Sequence, residues 1–228
     1  MKKIVRQNLV EEYYNHFPLT DFFNFDITPY ASVVQFESGE MIMQEGTAPA
    51  YLYYLINGRA KLLLSHDNGR MSLINFLNAP CFIGEMELIG AQNMSNGVTA
   101  ITICTCYAIN INSSRNKILK DVKFLSHLCL FLGQKAIGNT YNYSRNQSYP
   151  LDVRLANFIL LTAQNGHYRE KHTESSEFLG VTYRHLLYVL ADFVKRGILI
   201  KTNSGYYIND VTYLQKLANY ETDVIKVT

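Results

Sequence analysis

What this chain of 228 residues lacks narrows its class before any motif is read. Cysteine is sparse: four residues, at 81, 104, 106 and 129, do not make a disulfide-stapled scaffold. Five Pro and 13 Gly exclude collagen-like and low-complexity chains. Charged residues are only 18% against 48% hydrophobic, the reverse of a disordered composition, so a packed core is expected. No uninterrupted apolar run approaches the ~18 residues that a membrane-spanning helix needs. The opening Met1-Lys2-Lys3-Ile4-Val5-Arg6-Gln7 is basic but leads into no apolar signal region. The expectation is a cytoplasmic chain without membrane association, its cysteines kept as thiols. Catalytic signatures are missing too. There is no P-loop, nucleophile elbow or GxGxxG, and Ser, His and Asp fall at no catalytic spacing. No catalytic residue is assigned, and the chain is read as a non-enzyme.

What is present comes in two textures. Net charge is +2 overall, but residues 1–112 hold 6 Lys/Arg against 10 Asp/Glu, 113–149 hold 6 against 1, and 150–228 hold 9 against 8. An acidic first part followed by a basic remainder suits a sensor joined to a polyanion binder, although surface variation alone gives the same split. Residues 7–24 read as an amphipathic helix with Leu9, Val10, Tyr13 and Tyr14. From Val33 short runs rich in Tyr, Leu, Ile and Val alternate with turn signals. Asn57-Gly58 and Asn68-Gly69 each sit between two such runs, the pattern of a two-residue hairpin whose central residues need positive φ. Over Ala100–Ile111, Ile101, Ile103, Tyr107, Ile109 and Ile111 alternate with Cys104, Cys106 and Ala108, which predicts one strand with two faces. Short strands at this spacing predict an antiparallel sandwich or barrel.

Helical texture follows. Val122, Leu125, Cys129, Leu132, Ala136, Asn139 and Tyr143 recur at alternating steps of 3 and 4, the seam of a two-helix coiled coil. This predicts a dimerisation helix, with packing on its own barrel as the coexisting alternative. Tyr149-Pro150 ends it, and Asp152 is expected to cap a helix over Val153–Gln164. The expected division is therefore a strand-rich part over 1–112, a connecting and dimerisation helix over 113–149, and a further domain over 150–228, with the boundary near 146–152.

Residues 172–194 carry the most information. Glu174–Leu179 reads as a short helix, Gly180 as a tight turn, and Thr182 as the cap of a second helix over Tyr183–Lys195. Ser176 is small where the helices cross; Val181, Leu186 and Val189 are apolar where they meet. The remaining face displays Tyr183, Arg184, His185 and Tyr188, side chains able to reach base edges in a major groove, while Thr182 and Tyr183 suit phosphate. Ile198–Thr202, Asn203-Ser204-Gly205 and Tyr206–Asn209 read as a hairpin, the wing, with Lys201 and Asn203 placed for the DNA backbone.

Barrel, long helix and winged helix-turn-helix in this order resemble the Crp/Fnr superfamily of bacterial transcription regulators over residues of about 30–210. The resemblance rests on Gly46, Tyr51-Leu52-Tyr53-Tyr54-Leu55-Ile56-Asn57-Gly58, Phe82-Ile83-Gly84-Glu85-Met86 and Leu179-Gly180-Val181-Thr182-Tyr183-Arg184. Tyr183-Arg184-His185-Leu186-Leu187 looks most like the YeiL-like branch. It implies an α+β fold: an N-terminal antiparallel jelly-roll like a cyclic-nucleotide-binding barrel, then the dimer helix and the wing. It also implies a homodimer on two-fold-related double-stranded DNA, contact with RNA polymerase, and DNA heads that swing about a hinge at 146–152.

The sequence departs from that pattern at the effector cassette. Gly84 and Glu85 match the family's ribose-facing pair, with Met86 beside them. The Arg-Ser pair that holds a cyclic phosphate falls here on Asn96 and Gly97, and the hydroxyl pair that meets adenine on Tyr141 and Asn142. Asn offers neither the guanidinium fork nor its charge, a loss of roughly 1.5–3 kcal/mol per charge-assisted bond. The chain is therefore expected not to answer to cyclic AMP, and Glu85 to survive as a structural acceptor of backbone N–H groups. The trigger is left open between another small molecule, a protein partner and none. No iron–sulfur site is expected, since no Cys precedes Cys81, and the four thiols are read as small buried hydrophobes. His66, in a turn beside Asp67, makes neither a haem ligand nor, alone in the barrel, a cupin metal triad. No cofactor is assigned. The competing reading is a protein-interaction module, or a redox or small-molecule sensor, whose helix-turn-helix does not act on DNA.

Overall fold

A computed structural model of the chain describes residues 2–3, 7–67 and 71–218. They form two compact units, Met1–Gln134 and Lys135–Thr228, that meet within one long helix. In chain order the first contains β1 (Lys2–Lys3), α1 (Gln7–His16), 3-10 turns at Leu19–Phe22 and Thr28–Tyr30, β2 (Ala31–Phe36), β3 (Met41–Met43), β4 (Tyr51–Asn57), β5 (Arg59–Ser65), β6 (Met71–Asn78), β7 (Cys81–Ile83), α2 (Glu85–Leu88), β8 (Gly97–Ala100), β9 (Cys104–Asn110), α3 (Ile111–Ile118) and the start of α4 (Val122–Ser148). The second holds the rest of α4, then α5 (Leu151–Thr162), β10 (His167–Tyr168), α6 (His172–Phe178), α7 (Tyr183–Lys195), β11 (Leu199–Thr202), β12 (Gly205–Ile208) and α8 (Val211–Leu217). The class is α+β, as expected. Two antiparallel sheets build the jelly-roll, ordered β1-β2-β9-β4-β7 and β3-β8-β5-β6; a third, β10-β12-β11, is the wing.

The five-stranded sheet is covered on both faces. Val34, Phe36, Tyr53, Leu55, Ile83, Cys104, Cys106 and Ala108 point between the sheets, where they meet Ile42, Met43, Ala60, Leu77, Val98 and Ala100. Alternate residues Val33, Leu52, Phe82, Tyr107 and Ile109 point the other way, against Leu19, Phe23, Ile27, Ile118, Phe124 and Leu128. That second layer is largely aromatic: Phe23 stacks on Phe124 with ring centroids 4.9 Å apart, and Phe82 meets Phe22 and Phe124 edge-on at 5.4 and 5.7 Å. Such pairs add about 0.5–1.5 kcal/mol each beyond area burial. Cys104 and Cys106 are fully buried, and burial pushes both thiols up, so they pack as small apolar groups. Cys81 is only half-buried, and Cys129 is exposed in this chain, contrary to the expectation for the seam.

Several local expectations need correction. Asn57-Gly58 does not close a hairpin: β4 pairs with β7 and β9, whereas β5 pairs with β6 and β8, so the chain changes sheet there. Positive φ is needed, as the motif says, but for a corner. Gly58 has φ +101°, and a Cβ would stand 2.3 Å from the Ile103 carbonyl oxygen. The corner is bonded to the segment before β9: the backbone N–H of Ile101 donates to the Arg59 carbonyl (2.7 Å), and that of Arg59 to Thr102 Oγ1 (2.9 Å). The same crossing breaks the run predicted over Ala100–Ile111. Residues 101–103 leave the sheet, Ile103 is 51% exposed, and Ile111 opens α3. Asn68-Gly69 lies outside the described residues, although Ser65 and Met71 pair across the gap as a hairpin requires. The first helix stops at His16 rather than 24, since Phe17 precedes Pro18.

α4 serves its own core through a row displaced by one position from the predicted seam: Phe124 and Leu128 are buried and Phe131 packs beside them. Of the seam residues, Leu125 and Leu132 lean on that core, while Val122 (72% exposed), Cys129, Ala136, Asn139 and Tyr143 face outward. Asp121 starts the helix. Its carboxylate accepts the N–H of Phe124 (3.1 Å), the N–H of Asn24 (2.7 Å) and the Asn24 side-chain amide (3.1 Å), so one buried acid caps α4 and ties down the 17–27 strap. Asp152, by contrast, is not a cap: Pro150 holds the N-cap position in extended conformation (φ −61°, ψ 160°), α5 starts at Leu151, and Asp152 lies inside its first turn. α6 begins at His172, two residues earlier than read, and β10 was not foreseen because two residues carry no periodicity.

Two outcomes follow for stability. Gly58→Ala should lower the barrel's unfolding free energy by at least about 2 kcal/mol in urea melts. Gly39→Ala, also at positive φ but with nothing within 4 Å, should cost only about 1 kcal/mol. Equal losses would remove the close approach as the cause. Asp121 titrates below the ordinary carboxylate range: burial raises it, but the N–H groups of Asn24, Phe124 and Lys123 and the Asn24 side chain outweigh that. The unfolded chain then takes up the proton first, so stability falls as pH drops through about 4 and below. Thermal melts across that range should show a shallower fall for Asp121→Asn than for the native chain.

Candidate nucleic-acid interface and effector cassette

In the second unit α5 packs on α7 and α8, and α7 on α6 and β11. Leu186, Val189, Leu190 and Phe193, at i, i+3, i+4 and i+7, are the buried row of α7. Thr182 ends the turn in extended conformation (φ −70°, ψ 146°), and its hydroxyl accepts the His185 N–H at 3.3 Å. Gly180 sits at φ +62°, where it lets the Val181 N–H reach back to the Ser176 carbonyl (2.9 Å) and close α6. Ser176 is buried, as its crossing position requires, and Val181 is half-buried. Turn and helices are braced from behind. Arg154 on α5 donates through Nη1 to the Leu179 carbonyl at 2.5 Å, and Tyr168 OH pairs with Ser175 Oγ at 2.7 Å. Burial lowers the Arg154 pKa and raises that of Tyr168. Neither brace was assigned a role from sequence, although an Arg inside the apolar run 151–161 was the available signal.

Thr182, Tyr183, Arg184, His185 and Tyr188 are all exposed at the head of α7. Tyr183 rests near His172 (ring centroids 6.3 Å), whose pKa is lowered by burial and by the Lys201 cation. On the wing, Lys201 lies on β11 and Asn203 in the two-residue turn to Gly205, both exposed. Gly205 is obligatory: at φ +133° a Cβ would sit 2.2 Å from the Tyr168 carbonyl oxygen. Ile200 and Tyr207, cross-strand partners, are also exposed and had not been singled out.

The cassette lies in the first unit. Gly84 (φ +94°) precedes α2, its Cα hydrogen side turned to the Tyr51 carbonyl and the Met43 sulfur, which a Cβ would approach to 3.3 and 3.6 Å. Glu85 is buried and Met86 half-buried. Asn96 and buried Gly97 lead into β8, whose Val98 pairs with Met43, so Met43 links the two halves of the cassette. The buried hydroxyl there is one the sequence reading passed over. Ser95 Oγ lies 2.7 Å from the Gln44 carbonyl and 2.8 Å from that of Thr47, while the backbone joins Ser95 N–H to Thr47 and Gly46 N–H to Ser95. Glu45, next in the same loop, accepts from both the N–H and the hydroxyl of Ser65, which hold its pKa down. Tyr141 is exposed on the α4 portion of the second unit; the Asn142 side chain lies outside the described residues.

Comparison with known proteins places this architecture. Residues 33–121 match the family model described as a cyclic nucleotide-binding domain. Regulatory protein YeiL of Escherichia coli O157:H7 is 46% identical over 198 residues, covering 87% of this chain and 90% of that protein. A CRP-like cAMP-activated global transcriptional regulator of Mycobacterium tuberculosis is 22% identical, covering 84% and 90%. Among solved structures, a CRP/FNR-family transcriptional regulator from Thermus thermophilus superposes with a TM-score of 0.70 at 19% identity, over 82% of this chain and 98% of that one. A relative this similar over this much of both chains, on a barrel followed by a winged helix-turn-helix, makes the chain a member of the Crp/Fnr family of transcription regulators.

Proposed function

We propose that the protein is a cytoplasmic homodimer that binds a two-fold-related DNA site through α7 and the wing, and that cyclic AMP is not its effector. The parts are a barrel over 1–112, the connecting and dimer helix over 113–149, and the DNA head over 150–228. RNA polymerase is its partner at the promoter, and no step is enzymatic. The observation that carries the reading is α7 itself. It buries one row completely and turns Arg184 and its neighbours outward, behind a capped N-terminus whose free N–H groups favour phosphate. Dimerisation is supported by Val122, Cys129, Ala136 and Tyr143, apolar or small residues left facing outward on a helix whose core row lies elsewhere.

The cassette's own chemistry supports the exclusion of cyclic AMP. Between Glu85 and Gly97 there is no Lys or Arg, and the nearby loop contributes Glu45. A cyclic phosphate would meet carboxylates with no guanidinium from that segment to offset them; the Arg115 guanidinium, which comes from α3, lies against Gly90. The Ser95 hydroxyl, the buried donor at that place, is already held by main-chain carbonyls.

Affinity for duplex DNA carrying the native promoter is expected to fall by about a thousandfold between about 50 and about 200 mM salt, because phosphate contacts release counterions. Fluorescence anisotropy across that series tests it; no detectable binding at the lowest salt would favour the interaction-module reading instead. Calorimetric titration with cyclic AMP should give no high-affinity heat. A submicromolar site would overturn the assignment made for Asn96 and Gly97.

A further inference from the structure

The exposed half of α7 has an unusual chemical make-up, and it bears on which bases the helix reads. Arg184, Tyr188, Ala191 and Lys195 recur at i, i+4, i+7 and i+11, directly opposite the buried row, and all four are exposed. Tyr188 stands 74% exposed, more open than any other large apolar side chain among the described residues, and it has no ring or hydrogen-bond partner among them. Arg184 likewise makes no ionic or hydrogen-bonded contact among the described residues, which leave its guanidinium fork unengaged. The one carboxylate on α7, Asp192, lies off this stripe and bonds Arg196 at 3.3 Å; Arg196 also reaches the Tyr213 hydroxyl. The reading stripe therefore offers one planar fork, one aromatic ring with its hydroxyl, one methyl group and one ammonium, and no carboxylate for a cytosine amino group.

Resting on the DNA-binding reading above, we infer that each α7 reads a half-site through a guanine held by Arg184 and a thymine whose 5-methyl group packs on Tyr188 and Ala191. In the major groove guanine presents the O6 and N7 acceptor pair that suits a guanidinium fork, and thymine is the base with an apolar methyl. Cytosine is usually selected by a carboxylate that accepts from its N4 amino group, and the stripe has none. Arg184 and Tyr188 are one helical turn apart, about 6 Å along the axis, so the two base pairs lie about two steps apart. Tyr188 is thus a specificity-determining residue rather than a phosphate contact. Its ring has no core to bury in, and removing the thymine methyl from water against it is favourable.

The test uses the full-length protein and a duplex pool with a randomised site, selected by binding at low salt. Within the selected half-site each thymine is replaced in turn by uracil, which deletes only the methyl, and each guanine by 7-deazaguanine, which deletes only the N7 acceptor. For the native protein one uracil position per half-site should weaken binding about fourfold, and one 7-deazaguanine roughly tenfold. Tyr188→Ala should abolish the first sensitivity and leave the second; Arg184→Ala should do the converse. Both side chains are exposed, so both variants should melt with the native protein. Uracil tolerated at every position, or a Tyr188→Ala loss that is equal on all duplexes, would overturn the inference while leaving DNA binding intact. Failure to retain any duplex at low salt would bring down the DNA-binding reading and this inference together.

Discussion

The five-stranded sheet has no solvent face, and the first unit is arranged around that fact. A half-exposed sheet takes its register from apolar residues on one side and polar residues on the other. Here β9 is apolar or small on both sides, with cysteines and alanine toward the second sheet and Tyr107 and Ile109 toward the strap and α4. Each layer needs its own cover. The four-stranded sheet provides one; residues 17–27 and the first turns of α4 provide the other. Asp121 joins the parts of that second cover, since the same carboxylate that caps α4 receives Asn24 from the strap. Removing it would leave a buried N–H on α4 and a part-buried one on the strap without an acceptor, a larger loss than one surface cap.

The second unit answers the opposite demand, to hold a helix firmly while leaving half of it bare. Four fully or nearly buried side chains fix α7 from below, Thr182 fixes its start, and Arg154 and Ser175 fix the turn through groups that sit behind the helix. Because the support lies beneath, the upper stripe carries little structural duty. Its residues are set by what they meet, and a Tyr at 74% exposure is where that freedom is most visible. In the barrel the reverse has happened. At the cassette, Ser95 and Glu45 are bonded to Gln44, Thr47 and Ser65, so these polar groups hold the barrel's loops and strands together.

Where sequence and structure agree, the information was local. Thr182, Gly180 and the i, i+3, i+4 row of α7 are read within fifteen residues, and the structure has the same cap, turn and helix bounds. The wing's turn and the β5–β6 hairpin were legible for the same reason: strand pairing across a short connection depends on residues that are neighbours in the chain. What was misread was non-local. Asn57-Gly58 has the dihedral signature of a hairpin, but which sheet the next strand joins is decided by residues 101–104, more than forty positions away, which occupy the space beside Gly58. Ser95 escaped notice because a buried serine carries no pattern until its two carbonyl partners arrive from a loop some fifty positions earlier in the chain.

By itself, then, the amino-acid order determined the periodicities, the turn dihedrals, the lack of a cation between Glu85 and Gly97, and the side chains offered by the reading helix. Tertiary structure alone decided which face of each element found a partner. A helix with apolar residues on more than one side, as α4 has, states only that several surfaces want cover; the strap and the sheet take the Phe124–Leu128 row and leave Val122 and Cys129 outside. The physical reason is that burial is a property of pairs of surfaces, and the second surface is distant in sequence.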